Sequence, residues 1–174
     1  INKFLDRDAI VTVDGNEILH FGRQSINTYM PGHRLNSGVT GTMGVGLPYG
    51  IGSKLAKPDK QNLVLHGDGS MGMNAMELDT LVRFNLPVVT VISNNAGWTA
   101  RTPNQRKPGR ELGFTPFHEM AKALGCYGER VENPDDIRPA LERAFKSGKP
   151  AVIDVIVEPT AAGTSAAWGG SRME

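Results

Sequence analysis

Asn62-Leu63-Val64-Leu65-His66-Gly67-Asp68-Gly69-Ser70 carries an apolar run straight into a glycine-rich turn. Near-continuous apolar character suits a strand covered on both faces, and the break at Gly67-Asp68-Gly69 suits a strand-to-helix turn. Four further strand candidates lie at residues 10–13, 87–93, 127–131 and 151–157, most of them nearly continuous in apolar residues. Helical spacing lies between them. Ala75, Leu78 and Val82 share a face, as do Phe117, Met120, Ala121 and Leu124 after Thr115-Pro116. Asn133-Pro134 opens a third helix with Ile137, Ala140, Leu141 and Ala144 inward and Gly148 as its stop. Strands alternating with helices predict an α/β fold, a parallel sheet with helices on both faces.

The chain has 174 residues, enough for one domain. Residues 1–160 are expected to form it, with 161–174 a flexible tail or the start of a lid. Hydrophobic residues make up 39% and charged residues 21%, and the net charge of +1 leaves no basic footprint for nucleic acid. The apolar runs are too short to span a bilayer. A lone Cys126 and no secretory signal pattern fit a reducing, cytoplasmic setting. Residues 99–113, with Arg101, Arg106 and Arg110 and no periodicity, read as a long loop.

Ligands of open α/β sheets gather at the carboxyl ends of strands, where helix N-termini offer N–H groups to anions. Gly67 and Gly69 allow a phosphate to approach the backbone closely. Asp68 would repel that phosphate unless a divalent cation lies between them, and Mg²⁺ commonly takes its oxygens from one carboxylate plus phosphates. A second oxygen set is then expected on a neighbouring strand, and the run 87–93 ends in Asn94-Asn95-Ala96-Gly97. Taken alone, Asp68 could equally cap its helix, and Met43 could be an ordinary core residue. His20, His33, His66 and His118 show no metal-ligand spacing.

Gly67-Asp68-Gly69 through Asn94-Asn95 resembles the thiamine-diphosphate motif of pyruvate decarboxylases, acetolactate synthases and oxalyl-CoA decarboxylases. The resemblance implies a thiamine-diphosphate-binding fold in which the Asp68 carboxylate, the Asn95 side chain and the Gly97 carbonyl hold Mg²⁺. Gly15, Asn16, Gly67, Gly69 and Ser70 would contact the diphosphate. It also implies that Met43 props the cofactor into a bent shape and that the Gly41 carbonyl accepts a hydrogen bond from its aminopyrimidine, so both serve catalysis. Residues 40–48 crowd glycines into an expected helix with Leu47, Ile51 and Leu55 on one face, each interior glycine costing about 0.5–1 kcal/mol against alanine.

Gly22-Arg23, Tyr29-Met30-Pro31-Gly32-His33-Arg34-Leu35 and Gly38 resemble 2-hydroxyacyl-CoA lyases, with oxalyl-CoA decarboxylases next. That implies carbon–carbon cleavage of a 2-hydroxyacyl-CoA to an aldehyde or ketone plus formyl-CoA. A decarboxylase, an acetolactate-synthase-like carboligase and a non-catalytic cofactor-binding module remain alternatives. Three departures stand out: Gly69 where those lyases usually carry serine, Trp98 and Thr99 where isoleucine and tyrosine are common, and Glu17 where they commonly carry asparagine. Nothing here resembles the pyrimidine-binding domain that supplies the activating glutamate. The resemblance therefore implies a partner domain or subunit, in a homodimer, tetramer or hetero-oligomer, and an exposed apolar rim near Met43 and Leu47 where it would sit.

Overall fold

In the computed structural model, which describes residues 1–98 and 108–159, six strands form one parallel sheet. They are β1 (Ile10–Asp14), β2 (Arg34–Leu35), β3 (Asn62–Gly67), β4 (Val89–Asn94), β5 (Tyr127–Val131) and β6 (Ala151–Ile156), in the order β2-β1-β3-β4-β6-β5. Helices α1 (Glu17–Ser25), α2 (Gly46–Ala56), α3 (Asp68–Asn74), α4 (Glu77–Arg83), α5 (Phe117–Ala123) and α6 (Ile137–Lys146) connect them. The expected α/β class with helices on both faces is what the chain adopts. The expected tail, Arg101 and Arg106 lie outside the described residues.

Strand alternation divides the core. Leu63, Leu65, Val89, Val91 and Ile153 face one side with α1 and α6, while Val64, Ile92 and Val152 face the other with α2, α4 and α5. All of these side chains are buried, as a doubly covered sheet requires. Beyond β1 the chain turns into α1 on one face, and beyond β3 it turns into α3 on the other. The strand order also reverses here, since β2 and β3 flank β1 on opposite sides. Diverging turns leave a crevice at the carboxyl edge, the place where such sheets bind ligands.

Several local expectations need correction. The short edge strand β2, paired with β1 through Arg34 and Leu35, has too few residues to show a period. The glycines of residues 40–45 do not lie in a helix: Gly41 and Gly44 have φ of 64° and 90°, and α2 starts at Gly46. Leu55 is 62% exposed, whereas Lys54 is buried. At 100° per residue, position 54 returns to within about 20° of Leu47 while position 55 lies about 80° away. Lys54 solves its burial by donating through Nζ to the Pro58 and Lys60 carbonyls. Thr115 gives no cap to α5, whose N-cap residue is Pro116. Asn133 does cap its turn, accepting from the Asp135 N–H.

Close packing accounts for two of the α2 glycines. A methyl group on Gly46 would lie 2.3 Å from His66 Nε2, and one on Gly50 would lie 2.7 Å from Val64 Cγ2. The helix therefore rests on β1 and β3 more closely than alanine would permit, which places residues 41–46 over the carboxyl edge.

Candidate active site

A solvent-accessible pocket lies at the ends of β1, β3 and β4. Gly15, Asn16 and Glu17 after β1, Gly67 to Ser70 after β3, and Asn95, Gly97 and Trp98 after β4 line it, together with Met43. Sheet register aligns these segments, since Asp14 pairs with His66 and Gly67 with Ser93. Gly15, with φ of 135°, is required here twice over. The left-handed backbone disfavours a side chain, and an added methyl would meet Ile18 Cγ2 at 2.8 Å and Gly67 N at 3.2 Å.

The three residues expected at the metal converge. Gly97 N–H is shared between Asp68 Oδ2 at 2.8 Å and Asn95 Oδ1 at 3.2 Å, which brings both oxygens to one point. Residues 96–98 also pair with 110–112, through Trp98 N to the Arg110 carbonyl and Leu112 N to the Ala96 carbonyl. Those bonds use the groups flanking Gly97, so its own carbonyl lies outside the pair. Ala96 holds φ of 59°, a left-handed conformation rare for a residue with a side chain. Asn94 Oδ1 accepts from its N–H at 3.3 Å. Asn94 is fixed in turn by donating to Asp154 Oδ1 at 2.9 Å, and Asp154 Oδ2 pairs with His118 Nδ1 at 3.0 Å.

Asp68 is buried, and burial pushes its carboxyl up to about 6 despite N–H donors from Gly97 and Gly69. Glu17 is half-buried beside it and is also raised, first by burial, with the Asp68 charge adding to the effect and an Asn95 hydrogen bond opposing it. Neither lysine nor arginine is among the described residues lining the pocket. An anion entering it needs a cation of its own, and carboxylate, amide and carbonyl oxygens form a hard-ion donor set. A diphosphate with a divalent ion therefore fits the residues present.

Gly69 N–H donates to Asp68 Oδ1 at 2.9 Å, a bond that competes with a diphosphate contact. Trp98 covers this glycine, since a methyl there would meet its ring at 3.1 Å. Gly41 is exposed and is not among the residues lining this pocket.

Sequence reading missed Asp14. Buried at the end of β1, its Oδ2 accepts from Gly44 N at 2.9 Å and Gly46 N at 2.8 Å, clamping the loop that carries Met43. Burial raises its carboxyl, opposed by those same N–H groups. Asn74 of α3 donates to the Gly44 carbonyl from the other side. His66, fully buried and pushed down to about 3, is neutral at physiological pH. Ser70 Oγ–H donates to the Asp14 and Gly67 carbonyls, so His66 reaches Ser70 as the donor from Nδ1. An acidic residue ending an apolar strand just before glycine was the available signal.

Exposed apolar side chains include Val39 on the turn before the Met43 loop, Tyr49 on α2, Met73 on α3, and Met76. Met73 packs beside Gly44, where an added methyl would meet its Cβ at 3.3 Å.

Residues 19–155 match the family described as thiamine pyrophosphate enzyme, C-terminal TPP binding domain. An acetolactate synthase large subunit of Mycobacterium tuberculosis is 42% identical over 164 residues, which cover 91% of this chain and 30% of that protein. A 2-hydroxyacyl-CoA lyase of Arabidopsis thaliana is 38% identical over 179 residues, covering 91% and 31%. The human 2-hydroxyacyl-CoA lyase 2 is 31% identical over 170 residues, covering 92% and 27%. This chain thus spans about three tenths of the length of the relatives it matches.

Proposed function

The chain belongs to the thiamine pyrophosphate enzymes as their C-terminal cofactor-binding domain, and from that premise we propose a Mg²⁺-dependent carbon–carbon lyase acting on a 2-hydroxyacyl-CoA. Its products would be an aldehyde or ketone and formyl-CoA. The observation that carries the metal reading is the convergence of Asp68 Oδ2 and Asn95 Oδ1 on the Gly97 N–H. Asp68, Asn95 and the Gly97 carbonyl would hold the ion, with the diphosphate lying between Gly15-Asn16 and the Gly67–Ser70 turn. Bound thiamine diphosphate supplies the electron sink for breaking the bond between carbons one and two. Asp14 and Asn74 fix the loop from which Met43 reaches the pocket and from which the Gly41 carbonyl would meet the pyrimidine.

The lyase assignment rests on Gly22-Arg23 and residues 29–38, together with relatives named 2-hydroxyacyl-CoA lyase. The 42% identity to an acetolactate synthase favours the second reading, a carboligase acting on 2-oxoacids. Product analysis by mass spectrometry with a 2-hydroxyacyl-CoA and with pyruvate separates them: formyl-CoA supports the first, and acetolactate alone refutes it. Exposed Val39 before the Met43 loop and Met73 beside Gly44 support a pyrimidine-binding domain or subunit of the same oligomeric enzyme covering that loop. Asp68→Ala should abolish Mg²⁺-dependent cofactor binding measured by calorimetry on that assembly, and unchanged affinity sinks the site assignment. A cytoplasmic location belongs to the same proposal and is tested by cell fractionation.

A further inference from the structure

We infer that Glu17 is a positioning residue for the metal site: it holds the Asn95 amide so that oxygen, not nitrogen, is offered to the cation. The inference rests on the metal reading above, and its test is arranged so that the two fail separately. An asparagine amide presents oxygen and nitrogen in nearly the same shape, and a cation accepts only the oxygen. Hydrogen-bond partners decide between the two orientations.

Two bonds of Asn95 select the same orientation. Its Nδ2 donates to Glu17 Oε2 at 3.1 Å. Its Oδ1 accepts from Gly97 N–H at 3.2 Å, which marks that atom as the oxygen. An ionised carboxylate has no proton to give, so flipping the amide would oppose oxygen to oxygen. The asparagine that similar lyases commonly carry at this position can donate or accept, and would impose no such choice.

Glu17 could instead serve only the dipole of α1, in whose first turn it lies. That role requires no burial and is met equally well by a carboxylate in water. Here the side chain is half-buried, lines the pocket, and reaches a residue 78 positions away at the end of another strand. Partners that orient metal ligands characteristically contribute about 10–100-fold to metal affinity.

A double-mutant cycle tests the inference. With thiamine diphosphate present, Mn²⁺ is titrated into the enzyme and followed by calorimetry and by the electron paramagnetic resonance of the bound ion. Glu17→Ala should weaken Mn²⁺ binding about tenfold, at the low end of that range because the carboxylate is partly hydrated. Glu17→Gln, which can still accept through its amide oxygen, should recover part of the loss. In an Asn95→Asp background either orientation offers oxygen, so Glu17→Ala should bring no further loss there. Parent-level affinity in Glu17→Ala, or an equal loss in the Asn95→Asp background, overturns the inference. Retained Mn²⁺ binding in Asp68→Ala would instead overturn the metal reading beneath it.

Discussion

Replacing Gly46 by alanine should destabilise the domain even though alanine is the better helix former. The new methyl would lie 2.3 Å from His66 Nε2, 2.4 Å from Cε1 and 3.0 Å from Asp14 Cβ, with the ring fully buried. Relief requires α2 to lift from the sheet. Overpacking of this kind costs about 1–3 kcal/mol. Lifting the helix also stretches the 2.8 Å bond from Gly46 N to Asp14 Oδ2, and a bond to a charged group is worth about 1.5–3 kcal/mol. Helix propensity returns at most about 1 kcal/mol, so a net loss of about 2–4 kcal/mol is expected. Gly52 is the control. It lies in the same helix, is exposed, and a methyl there meets nothing within 4 Å. Gly52→Ala should stabilise by about 0.5–1 kcal/mol. At about 2–4 °C per kcal/mol for a domain of this size, the two variants should melt roughly 10 °C apart. Circular dichroism melts and urea midpoints measure the gap. A Gly46→Ala protein melting level with Gly52→Ala would refute the packing account of residues 41–46.

Asp68 gives a pH prediction. A folded pKa of about 6, above the unfolded value, means its contribution is fully present below about pH 4 and is lost as pH rises through 6. At about 1.4 kcal/mol per unit, the metal-free protein should lose up to about 3 kcal/mol across that window, and Asp68→Asn should remove that part of the slope. Superimposable urea profiles for parent and variant would count against it. Mg²⁺ with cofactor should stabilise the parent more at pH 7.5 than at pH 5, because below pH 6 the ion must displace a proton. Met43→Ala should slow exchange of the cofactor's carbon-2 proton more than it weakens cofactor binding, since Met43 lines the pocket but is not one of the three residues, Asp68, Asn95 and Gly97, that converge as the proposed metal set. Exchange at the parent rate would reduce Met43 to a packing residue.

What the sequence alone determined is whatever local pattern encodes. Four of the six strands could be read from apolar runs, because a strand buried on both faces must be apolar along its length, whereas β5, at the sheet edge, mixes Tyr127 and Val131 with Glu129 and Arg130. The contradiction of a carboxylate in a glycine turn pointed to Asp68 and required oxygen donors on a neighbouring strand, where Asn95 and Gly97 lie. Tertiary structure alone decided which donors meet which acceptors. Helical phase at the α2 contact buried Lys54 and exposed Leu55, although hydropathy ranks them the other way. Only the approach of α2 to β1 turned Asp14 into a clamp on Gly44 and Gly46, and only the register of β1, β3 and β4 set Glu17 against Asn95. Hydrogen bonds between residues tens of positions apart leave no period in a chain, because they depend on where folded elements end and not on how residues alternate along them.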